Sequence, residues 1–166
     1  MEITLEQLLA SRDRRRERQR ELALLSPDAA LVCLTVIFPG AVKRDERTLR
    51  VAREGVAAVR EAFEGKLLRE ELMDLETGYE GFFLVEASPE AAKRLCCGIE
   101  DTHPLGRLMD LDVIVLQEGN PVPMSRQTLG FSERKCLLCD RPARECMRAR
   151  THTPAELLHR IDEILQ

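Results

Sequence analysis

The chain has 166 residues, 44% hydrophobic and 33% charged, with a formal net charge of −4. That length supports one good core and is short for two. The balance is that of a globular chain rather than a disordered one. A net negative charge, no tryptophan and one tyrosine, Tyr79, argue against a nucleic-acid polymer as partner.

The first element opens with Thr4-Leu5-Glu6-Gln7, a capping box, with Ile3 and Leu8 at the positions of a hydrophobic staple. A helix to about Leu25 follows. It carries Arg12, Arg14, Arg15, Arg16, Arg18 and Arg20, offset by Asp13, Glu17 and Glu21. One reading is a solvated face laced by local ion pairs. The other is a grip on polyphosphate or an acidic partner, since the guanidinium fork binds phosphate and carboxylate bidentately.

Leu31 to Phe38 is apolar and rich in β-branched residues, the pattern of a central strand, and Pro39-Gly40 ends it. Asp45 caps a helix with Leu49, Ala52, Val56, Val59 and Phe63 on one stripe, closed by Gly65. Leu67 to Glu76 fits strand or helix. Thr77-Gly78 is a turn and Phe82 to Glu86 a strand. Ser88-Pro89 pairs an N-cap with proline at the first helical position, and that helix is expected to run to Gly98.

Next comes His103-Pro104-Leu105-Gly106-Arg107-Leu108-Met109-Asp110-Leu111-Asp112-Val113, continuing into Ile114-Val115-Leu116. If the apolar run is a strand, Asp110 and Asp112 project to one face while Leu111 and Val113 point into apolar packing. Two acids so placed can hold Mg²⁺ against a polyphosphate, because Mg²⁺ prefers one or two carboxylates plus substrate oxygens. The bland alternative is an acidic strand edge that solvates the surface. Glu118-Gly119-Asn120 then turns into a hairpin strand around Val122 to Arg126, and a linker is expected near Gly130 to Glu133.

Cys136, Cys139, Cys146 and His152 form C-x2-C-x6-C-x5-H. Such a ligand set suits tetrahedral Cys₃His zinc that anchors a loop too poor in apolar residues to pack alone. The alternative is three reduced cysteines and a solvated histidine. Cys33, Cys96 and Cys97 fit core positions. Thr153-Pro154-Ala155-Glu156 is a second capping box, starting a last helix with Leu157, Leu158, Ile161, Ile164 and Leu165 on one stripe.

With Leu67 to Glu76 as a strand, the fold class is α+β. It is a βαββαβ, ferredoxin-like antiparallel sheet with helices on one face, plus an N-terminal helix, an extra hairpin strand and a C-terminal cysteine-bearing loop and helix. One domain over 1–166 is expected, with the helix at 1–28, the α/β core at 29–130 and the Cys/His loop and last helix at 131–166. No apolar run approaches the roughly 20 residues of a membrane span, and the charged N-terminal segment lacks a secretory pattern. The expected location is the cytoplasm, with thiols reduced.

The stretch from His103 to Val113 resembles the signature of the apo-citrate lyase phosphoribosyl-dephospho-CoA transferases. Leu8 to Asp13 with Arg15, Arg18 and Gln19, Val36 to Lys43, and Cys136 to His152 resemble further segments of that family. Met109 stands where the family pattern leads one to expect an aromatic. The resemblance implies transfer of the prosthetic group from 2′-(5″-triphosphoribosyl)-3′-dephospho-CoA to a serine of the citrate lyase acyl carrier (γ) subunit, releasing diphosphate. It implies catalytic roles for Asp110, Asp112, Arg107 and His103, with Asp110 and Asp112 on Mg²⁺. Gly106, Lys43, Arg12 and Arg15 would then bind substrate. His103 fits equally a hydrogen-bonding residue before Pro104, and Glu86 and Asp101 are guesses for a third metal carboxylate. The rival readings are a zinc-containing interaction module and a small-ligand regulatory domain, since fold does not fix function.

Overall fold

The computed structural model describes all 166 residues. Thr4 caps α1 (Leu5–Leu25) with the full capping box, its hydroxyl accepting from Gln7 N–H while the Gln7 side chain accepts from Thr4 N–H. The β-branched run forms β1 (Ala30–Val36), and Asp45 caps α2 (Glu46–Ala62). The ambiguous segment is a strand, β2 (Leu67–Leu75), in a hairpin with β3 (Gly78–Val85).

Ser88 caps α3, which spans Pro89–Thr102 and so continues past Gly98, the expected end. An interior glycine costs only about 1 kcal/mol, and the turn beyond it buries Glu100 against backbone and arginine partners. A 3₁₀ turn at Gly106–Leu108 feeds β4 (Met109–Gln117), which turns back into β5 (Asn120–Pro123). The hairpin strand therefore stops before Arg126, which begins a 3₁₀ turn to Leu129. The expected linker is docked: Phe131 N–H donates to Arg126 O, and the Arg126 guanidinium lies over the Phe131 ring. The Cys/His segment contains a short helix, α4 (Ala143–Ala149), before α5 (Pro154–Ile164).

The five strands form one antiparallel sheet in the order β2-β3-β1-β4-β5. This is the α+β, antiparallel architecture expected from the pattern. On one face Val32, Leu34, Phe83, Val85, Leu111 and Val113 pack with α2, α3 and Ile161 of α5 in the main core. The opposite face is not bare, as helices on one side alone would leave it. It carries α1, whose Leu22 joins Leu31, Cys33, Phe82, Leu84 and Ile114 in a smaller cluster.

Candidate active site

The apolar cluster covers only half of the α1 face. Toward the other end of the sheet the inward positions become polar. The antiparallel register sets Glu80 of β3, Thr35 of β1 and Asp110 of β4 in one cross-strand row, and Phe82, Cys33 and Asp112 in the next. Paired residues share a face and i,i+2 residues share it along a strand. Asp110 and Asp112 therefore stand side by side under α1, while Met109, Leu111 and Val113 are buried in the main core.

Here α1 contacts the sheet through polar side chains. Ser11 Oγ lies 2.7 Å from Thr77 Oγ1. Arg15 reaches Glu80 at 3.3 Å. Arg18 forks onto Glu71 with Nε–Oε2 at 2.9 Å and Nη2–Oε1 at 2.6 Å. A helix that buries arginine and serine over a row of acids forgoes the usual apolar contact.

The two aspartates differ from the other acids of this layer. Neither accepts a hydrogen bond within the chain. The nearest cationic nitrogens are Arg134 Nη1 at 4.0 Å from Asp110 Oδ1 and Lys93 Nζ at 3.9 Å from Asp112 Oδ1. Their oxygens are thus free for an external ligand. Burial, and then the neighbouring Asp110 charge, push Asp112 up to about 6. Its side chain keeps 39% of its surface exposed, so water screening moderates that shift. Glu80 is 4% exposed, and burial raises it above the ordinary carboxylate range against the opposing pull of Arg15. Two adjacent hard-oxygen donors with unspent lone pairs fit Mg²⁺.

The structure brings Arg15 to this layer and leaves Lys43 within range of the Arg12 charge. The Lys43 ammonium donates to Phe38 O, and burial, then the Arg12 charge, lower its pKa. Three expected site residues do other work. His103 ends α3, where its Nδ1 accepts from Leu105 N–H at 3.0 Å and its Nε2 lies 3.8 Å from Glu54 of α2. That places it with the helices across the sheet from the carboxylates. Gly106 is a packing residue, because a Cβ there would collide with the carbonyl oxygens of Ile99 and Glu100. Arg107 Nη2 donates to the carbonyls of Lys135 and Cys136, at 2.6 and 2.8 Å, rather than facing the acids. Glu86 is exposed, and Asp101 is bonded to Arg126. Glu80 shares the face of the pair in the row of Asp110, and Glu71 of β2 shares it in the row of Asp112. Only the even spacing of Glu80 with Phe82 and Leu84 marked its direction, and the strand register was needed to find its partners.

The second centre lies beside the turn that leads into β4. One ligand atom from each of Cys136, Cys139, Cys146 and His152 falls within 4.8 Å of the others. Cys139 Sγ and Cys146 Sγ are 3.5 Å apart. His152 Nε2 is buried with no hydrogen-bond partner, and such an orphan calls for a ligand. Burial works to raise the Cys136 thiol, but N–H groups of Leu138 and Cys139 aimed at the sulfur outweigh it and lower the pKa. Three thiols and an unpartnered imidazole nitrogen that converge within this distance fit tetrahedral zinc.

Residues 3–166 match the family model described as apo-citrate lyase phosphoribosyl-dephospho-CoA transferase. The chain is 37% identical over 168 residues to the Citrobacter koseri protein of that name, covering 98% of this chain and 88% of the relative. An Escherichia coli protein of the same name is 36% identical over 166 residues, with the same coverage. A Streptococcus pyogenes protein, named a probable member, is 34% identical over 164 residues, covering 98% of this chain and 85% of the relative.

Proposed function

The chain belongs to the apo-citrate lyase phosphoribosyl-dephospho-CoA transferase family, and from that membership we propose that it attaches this prosthetic group to apo-citrate lyase. The donor is 2′-(5″-triphosphoribosyl)-3′-dephospho-CoA and the acceptor a serine of the acyl carrier (γ) subunit. The serine oxygen–phosphorus bond forms, the bond from that phosphorus to the bridging oxygen of the leaving diphosphate breaks, and the hydroxyl proton passes to water. The single observation that carries the site assignment is that Asp110 and Asp112 share one face with all four oxygens free of protein hydrogen bonds.

Asp110 and Asp112 would hold Mg²⁺, which when bound neutralises charge on the triphosphate. The protein supplies the rest by position. Arg15 offers its guanidinium over the acid face while Glu80 holds it from below. Arg12 and Lys43, close enough for one charge to act on the other, are two cations suited to phosphate oxygens. The rigid sheet keeps the carboxylates in register, which is where orienting binding energy counts most. The Cys/His cluster would hold a structural Zn²⁺ that anchors the C-terminal segment. No helix is long and apolar enough to cross a membrane, and we place the enzyme in the cytoplasm, where its six free thiols stay reduced.

Mass spectrometry of the carrier subunit, incubated with this protein, the donor and Mg²⁺, tests the reading. The expected product is a carrier heavier by one phosphoribosyl-dephospho-CoA unit on serine. No adduct with a competent carrier and donor would refute the assignment. Asp110→Asn and Asp112→Asn should fold, being near-isosteric, and lose most transfer, since an amide is a poor Mg²⁺ ligand.

A further inference from the structure

The strand that carries the two acids lacks a strand neighbour along the part that matters. β5 pairs with β4 only from Ile114 to Gln117. Across Met109 to Asp112 the outer edge of β4 has no strand beside it. In an antiparallel ladder, alternate residues turn their N–H and C=O to opposite neighbours. Leu111, between the two acids, turns its backbone groups to the open side.

Side chains complete that ladder. Glu100 Oε1 accepts from Leu111 N–H at 2.8 Å, and Lys93 Nζ donates to Leu111 O at 3.0 Å. Arg134 Nη1 donates to Met109 O at 2.8 Å, and only at Val113 does main chain return, where Met124 N–H just past β5 donates to Val113 O at 2.8 Å. Lys93 and Glu100 lie seven residues apart on α3, two turns along one face. They are 4% and 3% exposed. A buried charged pair is a costly way to satisfy one peptide unit, for which neutral groups would serve. The charges have named counterparts: Lys93 lies 3.9 Å from Asp112 and Glu100 3.5 Å from Arg134, which is itself 4.0 Å from Asp110.

We propose that Lys93 and Glu100 form a two-armed clamp on Leu111 that stands in for the missing strand and holds Asp110 and Asp112 in their working geometry. Both are positioning residues, since their hydrogen bonds go to the Leu111 backbone. The inference rests on the reading of Asp110 and Asp112 as the reacting pair. Without the clamp, the acid-bearing segment keeps only its β1 side, and a small loss of alignment at a reaction centre is expensive.

The test compares Lys93→Met, Glu100→Ala and Glu100→Gln in transfer kinetics and thermal melting, alongside Asp110→Asn and Asp112→Asn. Lys93→Met keeps the stem and removes the donor. Glu100→Gln keeps an acceptor oxygen for Leu111 N–H, and Glu100→Ala does not. Lys93→Met and Glu100→Ala are expected to lower kcat about tenfold or more while moving the donor KM less than about threefold, with Glu100→Gln restoring most of the rate. If Glu100→Ala does not fold, Lys93→Met and Glu100→Gln carry the comparison. Lower melting temperatures with kcat unchanged, measured well below the melts, overturn the clamp and make the pair ordinary fold residues. If the aspartate variants themselves keep wild-type rates, it is the reading of the acids that fails.

Discussion

Arg107 and Arg134 each hold the other's segment. Arg107, in the turn before β4, donates to the carbonyls of Lys135 and Cys136. Arg134, just before the cysteine knuckle, donates to the carbonyls of Gly106 and Met109, at 2.9 and 2.8 Å. The two guanidiniums cross between the same pair of backbone stretches in opposite directions. The Cys/His segment is thereby stapled to the turn that launches the D-x-D strand.

These bonds predict that Arg107 acts on the fold rather than on phosphate. Arg107→Met should destabilise by about 1–3 kcal/mol, the worth of hydrogen bonds from a charged donor to partly buried acceptors. It should loosen metal retention, read by competition with a chromophoric chelator, and leave the donor KM near wild type. A large rise in donor KM with unchanged melting would instead return Arg107 to the phosphates.

Asp112 gives a pH-dependent signature in Mg²⁺-free buffer. Its folded pKa is raised to about 6, chiefly by burial and then by Asp110, above the value of an unfolded aspartate. The folded protein thus keeps a proton that the unfolded chain releases. This group favours folding at acid pH and progressively opposes it as pH rises from about 4 through about 6. Asp112→Asn should melt higher than wild type at about pH 7.5, and the gain should shrink toward about pH 5. A gain that is constant across the range would show that Asp112 is not strained by its surroundings. The same variant should be the poorer enzyme, a stability cost borne for function.

Much of this layout was legible along the chain. The caps at Thr4, Asp45, Ser88 and Thr153 are local patterns and fold as read. The D-x-D alternation and the C-x2-C knuckle are also local, and the structure places both as their spacing implied. What stayed hidden is non-local. Glu80 became a neighbour of Asp110 through strand register alone, by way of Thr35. Arg107 found its partners 28 and 29 residues ahead. Helix α3 outlasts Gly98 because Glu100 has a backbone N–H and an arginine to meet, which no propensity rule contains.

The Cys/His cluster makes a stoichiometric prediction. Protein purified without chelator should hold about one zinc per chain by elemental analysis, as a closed Cys₃His site requires. Cys139→Ser should lower the melting temperature, because metal binding contributes folding free energy. Through the Arg107–Arg134 staple, metal removal should reduce transfer as well. Zinc-free protein whose melting is indifferent to chelation would remove the centre and leave the acid pair untouched.

The arginines of α1 divide by partner, and that division predicts where the carrier docks. Arg15 and Arg18 are bound to Glu80 and Glu71 of the sheet, and Arg20 leans on Glu17 and the Gly119 carbonyl. Arg12, Arg14 and Arg16 are exposed and have no acid within ion-pair distance; Arg14 lies on a different side of the helix from the other two. On a chain of net charge −4, exposed cations without an acid partner are where an acidic carrier surface would be drawn. Charge steering of this kind acts on encounter and weakens with salt. Reversing Arg14 and Arg16 together should raise the KM for the carrier and flatten its salt dependence, with the donor KM unchanged. A rise in the donor KM alone would assign the helix to the triphosphate. If neither constant moves, the two residues are a solvated face and the carrier docks elsewhere.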